Sequence, residues 1–314
     1  MFFIYFLVGL YFLIKGADLL TDGAAALAGR FNLNQVIIGL TVIAFGTSAP
    51  ELFVSISSVL NNSSGILFGN IFGSVIINIS LVLGLASIFG IVDVHKRLVK
   101  LELPFTLLVS FFLFLALNDS FFGSNLVNQL DKFDGLILLS LFAFFVWTLF
   151  SYKEGLFEEK PDFILLSKLK TFLYILFGFL FLIFGSHQVV SNGLEISRIF
   201  GLNQTLIGAL LISLGTSLPE IVTSFTAFKK NNHELMIGNV VGSNIFNLLL
   251  VLGISSTLKP IEYLPSVAFH FHAMVLVQVL LFVFLFFRKD KNLTKSLGFI
   301  FLIFYLLYFF LNFY

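Results

Sequence analysis

Gly46-Thr47-Ser48-Ala49-Pro50-Glu51 and Gly215-Thr216-Ser217-Leu218-Pro219-Glu220 are one motif occurring twice, 169 positions apart. At the same offset, Gly69-Asn70-Ile71-Phe72-Gly73-Ser74 matches Gly238-Asn239-Val240-Val241-Gly242-Ser243, and residues 32–87 pair with 201–256 without a gap. A doubled unit, each copy bringing one carboxylate into an apolar stretch, points to an ion carrier.

The 58% of hydrophobic residues, 11% of charged residues and mean hydropathy of +1.03 describe a chain that crosses a membrane many times. A net charge of +1 with no long basic run argues against nucleic acid as a partner. The absence of cysteine removes disulfides and thiolate metal sites. The 44 phenylalanines read as lipid-facing and packing residues.

Crossing a hydrocarbon core takes roughly 20 helical residues. Ten apolar stretches of suitable length lie near 2–20, 35–60, 65–90, 102–118, 134–151, 170–191, 204–228, 234–257, 265–287 and 295–313. The expected fold is therefore an all-α membrane protein of ten transmembrane helices. Residues 1–151 form one five-helix repeat, 152–169 a cytoplasmic linker and 170–314 a second five-helix repeat.

Positive residues concentrate in cytoplasmic loops. Alternate loops carry 14 of the 18 Lys and Arg residues, among them Lys96, Arg97, Lys100, Lys229, Lys230, Arg288 and Lys289. The opposite loops carry Lys132, Arg198 and Lys259, which places both termini outside. Five is an odd number, so the second repeat starts on the opposite side from the first and the two are inverted. Inverted repeats are the arrangement of alternating-access carriers, with the substrate near the midplane at the repeat interface. The N-terminal apolar run is not read as a cleaved signal peptide. No basic residue precedes it, and Phe12-Leu13-Ile14 and Gly16 pair at the same offset with Phe181-Leu182-Ile183 and Gly185 in an interior helix.

An ionisable side chain at the bilayer centre costs roughly 2.5–3.5 kcal/mol on insertion scales and marks a pathway or a partner. Glu51 and Glu220 are the only acids placed deep within a span, with no Lys or Arg in the matching helix interiors. A bound cation is the simplest counter-charge. Thr47 and Ser48 precede Glu51 by four and three residues, and Thr216 and Ser217 precede Glu220 likewise, so hydroxyls and carboxylate share a helix face. Pro50 and Pro219 lack an N–H, so a kink is expected, with the carbonyls of Gly46 and Gly215 losing their helical donor. Ser74 with Asn78, and Ser243 with Asn247, add neutral oxygens four residues apart on one face. Calcium takes six to eight oxygens in flexible geometry. The same oxygens suit sodium, so two substrates can compete for them.

Plainer readings accompany these. Gly69-x-x-x-Gly73 and Gly238-x-x-x-Gly242 also fit close helix packing, and membrane Ser and Thr commonly bond back to their own backbone. An intramembrane enzyme is disfavoured: His233-Glu234 lacks a second His at position 237, which is Ile, and no base stands near Ser48 or Ser217 in the sequence. A channel would not require two inverted, kinked glutamate helices.

The doubled Gly-Thr-Ser-x-Pro-Glu, followed 18 residues after each Glu by Gly-Asn, then Gly-Ser and Asn, resembles the two repeats of the cation/Ca2+ exchanger superfamily. The closest likeness is to compact prokaryotic Na+/Ca2+ exchangers, over essentially the whole chain. The resemblance implies an antiporter in the cell membrane exchanging Na+ for Ca2+, with no cofactor and no obligate protein partner. It also implies that the ions bind between helices two, three, seven and eight. By position, Glu51 and Glu220 would be shared Ca2+ and Na+ ligands, with hydroxyl or carbonyl oxygens from Thr47, Ser48, Thr216 and Ser217. The backbone at Ala44 and Ser213, and Ser74, Asn78, Ser243 and Asn247, would complete the set.

Two departures qualify this. Val75 stands where the second copy has Asn244, and both Asn78 and Asn247 are amides where the potassium-dependent branch resembles the pattern with an Asp. A proton-coupled Ca2+/cation antiporter is the alternative, although that branch carries Gly-Asn-x-x-Glu in place of this motif.

Overall fold

The computed structural model describes residues 2–31, 35–119, 128–151, 166–199 and 214–311. In chain order the helices are α1 (Phe2–Phe31), α2 (Gln35–Thr47), α3 (Ala49–Leu60), α4 (Ser64–Phe89), α5 (Leu98–Ala116) and α6 (Lys132–Ser151). They continue with α7 (Lys168–Ile199), α8 (Leu218–Lys229), α9 (His233–Leu258), α10 (Pro265–Phe287) and α11 (Lys295–Leu311). Among the described residues, seven helices are long and apolar enough to cross a membrane, and eight if α2 and α3 form one broken span. Helices dominate because backbone N–H and C=O groups in hydrocarbon must be satisfied within the segment. The expected span at 204–228 lies partly outside the described residues.

The two proline motifs break the chain at equivalent places. Ser48 (φ −81°, ψ 4°) ends α2, and Ser217 (φ −85°, ψ 1°) precedes α8. The following proline sits at the start of the next helix, where its missing N–H costs nothing. The repeat extends to finer features. Ile77–Leu83 in α4 and Phe246–Val251 in α9 are π-helical segments that begin 169 residues apart, and Asn62 and Asn231 both adopt φ 56° just after α3 and α8. Asparagine tolerates this left-handed geometry better than most residues.

Two compact units are present, and each draws on both halves of the sequence: residues 1–50, 153–243 and 309–314 form one, residues 51–152 and 244–308 the other. In the first unit α1 and α7 pack backbone to backbone. A Cβ on Gly9 would lie 3.0 Å from the Gly185 carbonyl, and one on Gly16 would lie 2.8 Å from the Gly178 carbonyl. Positions rise along α1 as they fall along α7, so the two helices are antiparallel. Gly9 and Gly178 are offset mates, as are Gly16 and Gly185, so equivalent helices run in opposite directions. In the same unit Gly238 abuts the Val36 carbonyl and Gly242 the Leu40 backbone, which bears out the close-packing reading of that motif. Its counterpart Gly69 has no atom within 4 Å of a built Cβ among the described residues.

Among the described residues, the second unit holds four two-residue strands that the hydropathy pattern does not announce. β1 (Val92–Asp93) pairs antiparallel with β4 (Asn292–Leu293), and β2 (Gln129–Leu130) with β3 (Ile261–Glu262). Glycine contacts follow the same exchange, Gly84 with Gly298 and Gly135 with Gly253, so α4 lies on α11 and α6 on α9.

Candidate cation site

Glu220, in the first unit, is fully buried in the first turn of α8. The Ser48 hydroxyl donates to Glu220 Oε1 at 3.2 Å, and the hydroxyls of Thr47 and Ser243 lie beside the carboxylate. Thr47 Oγ1 is itself 3.2 Å from Asn239 Oδ1 and 3.3 Å from Ser243 Oγ. The Asn239 amide donates to Ser224 Oγ at 2.9 Å, which fixes its carbonyl toward Thr47. Among the described residues Glu220 Oε2 has no hydrogen-bond partner, and no Lys or Arg is ion-paired with the carboxylate.

The carbonyl of Gly215, deprived of its helical donor by Pro219, accepts the Ser186 hydroxyl from α7 at 2.6 Å. Ser186 has Ala17 as its offset mate, so the first repeat offers no equivalent donor. There the ring of Phe179 lies directly against Gly46, leaving no room for a side chain at the first position of that motif.

Glu51, in the second unit, is also fully buried. Ser74 Oγ donates to Glu51 Oε1 at 3.4 Å, and the Asn70 amide reaches the Glu51 backbone carbonyl at 3.3 Å and Ser55 Oγ at 3.4 Å. Asn247 Nδ2 donates to Ser74 Oγ at 3.1 Å, and Asn78 Nδ2 donates to Asn244 Oδ1 at 3.0 Å. Asn78 and Asn247 sit in the π-helical segments, which recur at functional sites, and both are fully buried. Their carbonyl oxygens have no partner among the described residues.

Each glutamate thus accepts a hydroxyl, with side-chain amides close by. A hydroxyl that donates to a carboxylate can rotate and offer a lone pair to a cation instead. Buried polar atoms without partners are uncommon in folded proteins, and an ion is one of the few things that explains them. Among the described residues no three His, Cys, Asp or Glu side chains gather, so the donors are hard neutral oxygens around single carboxylates. That set suits alkali and alkaline-earth cations and gives little hold on softer metals.

Of the residues singled out from sequence, Thr47, Ser48, Glu220 and Ser243 come together in one unit and Glu51, Ser74, Asn78 and Asn247 in the other. Thr216 and Ser217 are buried beside them in the chain. The Ala44 carbonyl accepts the Ser48 N–H at 3.0 Å and lies 3.4 Å from Thr47 Oγ1. Ser213 lies outside the described residues. Asn70, Asn239, Ser55, Ser224 and Ser186 were missed. The first four are offset pairs of identical type, a signal present in the sequence. The two glutamates are not the only buried acids: Glu102 in α5 is buried as well, but it is paired with Arg97 at 2.9 Å. His233 stacks on Phe228, a packing role.

A family profile described as sodium/calcium exchanger protein matches residues 1–151 and 170–314. The chain belongs to that family. An inner membrane protein of Escherichia coli, YrbG, is 30% identical to this exchanger-family chain over 93% of its length and 90% of the relative's. The sodium/calcium exchanger MaX1 of Methanosarcina acetivorans is 26% identical, covering 99% and 98%. Among solved structures, the sodium-calcium exchanger NCX_Mj soaked with 10 mM Na+ and zero Ca2+ superposes with a TM-score of 0.83 at 29% identity, covering 98% of this chain and 97% of that one. These relatives are exchangers or membrane proteins by name, not enzymes.

Proposed function

We propose that this exchanger-family chain is a secondary antiporter that exchanges Na+ for Ca2+ across a cell membrane by alternating access. The observation that carries the reading is the pair of fully buried motif glutamates, Glu51 and Glu220, each accepting a serine hydroxyl inside an apolar helical protein. A carboxylate is costly to keep ionised when buried, and a cation in transit supplies counter-charge. In this reading Glu51 and Glu220 are the charged ligands. The neutral oxygens come from Thr47, Ser48, Thr216, Ser217, Ser74, Asn78, Ser243 and Asn247, with the Ala44 and Ser213 backbones.

The proposed topology is ten crossings in two inverted five-helix repeats, residues 1–151 and 170–314, joined by 152–169, with both termini outside. The antiparallel packing of the mated helices α1 and α7 supports the inversion. The family match in the same two stretches supports the division. The names of MaX1 and NCX_Mj, both sodium/calcium exchangers, support the ion pair.

The test is Ca2+ uptake into Na+-loaded proteoliposomes diluted into Na+-free buffer, beside K+-loaded vesicles and vesicles carrying a proton gradient. Uptake that needs the outward Na+ gradient is the expected result. Uptake driven by the pH gradient alone would replace this reading with proton-coupled exchange.

A further inference from the structure

Asn78 and Asn247 are offset mates, fully buried, and each leaves its carbonyl oxygen unpartnered among the described residues while its amide N–H is taken by another side chain. The holders are different. Asn247 is held by Ser74 Oγ at 3.1 Å, and exact repetition would have Asn78 held by Ser243. Instead, Asn78 Nδ2 donates to Asn244 Oδ1 at 3.0 Å, and the offset mate of Asn244 is Val75, which has no acceptor.

A primary amide presents opposite polarity on its two faces. Turned one way it offers a cation an oxygen, and flipped it offers an N–H2 that repels the cation. Nothing in the Asn78 backbone fixes that choice, so the acceptor on the N–H2 side decides it. We propose that Asn244 is a positioning residue for cation binding: it accepts from the Asn78 amide and so keeps the Asn78 carbonyl oxygen available as a ligand. The second amide is held differently. Ser74 also donates to Glu51 Oε1 at 3.4 Å, so the hydroxyl that orients Asn247 is tied to a carboxylate. A cation that draws Glu51 toward itself therefore disturbs the support of Asn247 but not that of Asn78. One neutral ligand is fixed and its mate is adjustable.

The inference rests on the reading of Asn78 as a cation ligand and is tested by binding rather than flux. The measurement is the Ca2+ concentration giving half of the maximal rise in melting temperature of the detergent-purified full chain, in Na+-free buffer. Asn244→Val copies the first repeat and removes the acceptor. It should raise the half-saturating Ca2+ roughly five- to tenfold, the scale of one net hydrogen bond. Asn244→Asp keeps an acceptor at the same place and should stay within about twofold of the wild type or bind more tightly. In an Asn78→Ala background Asn244→Val should add nothing, because Asn244 acts through Asn78. An unchanged half-saturation in Asn244→Val, or a full additional loss in the Asn78→Ala background, would overturn the assignment. Because each comparison is between variants in one binding assay, a wild type that binds Ca2+ but does not exchange it for Na+ would refute the transport reading while leaving this result decisive.

Discussion

Ser48 Oγ, from the first copy of the motif, donates to Glu220 Oε1, from the second, at 3.2 Å. The two copies therefore contribute to one hydrogen-bonded group, although they stand far apart in the sequence. A hydroxyl that donates to a buried carboxylate provides part of the stabilisation that the charge needs.

Replacing Ser48 by Ala removes that donor and should lower the stability of the ion-free protein by about 1–3 kcal/mol, the cost of leaving a buried acceptor short of a partner. Ser48→Thr keeps the hydroxyl and should retain most of it. Melting curves in chelator, with and without added Ca2+, read this directly. Equal melting of Ser48→Ala and wild type in chelator would show that the bond carries no weight.

The α1–α7 contact predicts a contrast between two glycines. A Cβ on Gly185 would stand 2.6 Å from the Leu13 backbone nitrogen and 2.7 Å from the Gly9 carbonyl, so Gly185→Val should part the helices and cost at least 1–3 kcal/mol, the usual range for overpacking. Gly65 in α4 meets nothing within 4 Å, and Gly65→Ala should be neutral or stabilise by up to about 1 kcal/mol through helix propensity. Denaturation of both variants in the same detergent checks the ordering.

The buried and the exposed ion pairs should differ in how much they contribute. Arg97 and Glu102 are almost fully buried, with side-chain exposures of 9% and 3%, so Arg97→Leu strands a carboxylate and should cost about 3–5 kcal/mol. Lys230 bridges Asp18 at 3.3 Å and Asp22 at 2.8 Å, but all three side chains are about one-third exposed, and Lys230→Met should cost no more than about 1 kcal/mol. Fluorescence-detected melting would separate the two, and similar losses would contradict the burial argument.

Much of this architecture was legible in the sequence, because a repeat offset exposes positions under the same physical demand. The breaks at Ser48 and Ser217 follow from Pro50 and Pro219, and the burial of Glu51 and Glu220 follows from the apolar runs around them. What escaped has specific causes. The strands at Val92 and Ile261 are two residues long and exist only because distant segments meet, so no local pattern announces them. The Arg97–Glu102 pair is separated by five residues, which an α-helix would turn to different faces, but the π-helical segment Leu98–Glu102 aligns them. Ser186 has Ala17 as its mate, so the repeat that revealed the other site residues conceals it, and Asn244, opposite Val75, stood out only as a departure with no role attached.

The most direct test of the central claim is Ca2+ uptake into Na+-loaded proteoliposomes for wild type, Glu51→Gln and Glu220→Gln, each verified as folded by its melting transition. Glutamine preserves volume and polarity while removing the charge that offsets a bound cation. The account predicts Na+-dependent uptake by the wild type and nearly none by either variant, whereas wild-type flux in Glu51→Gln or Glu220→Gln would contradict it.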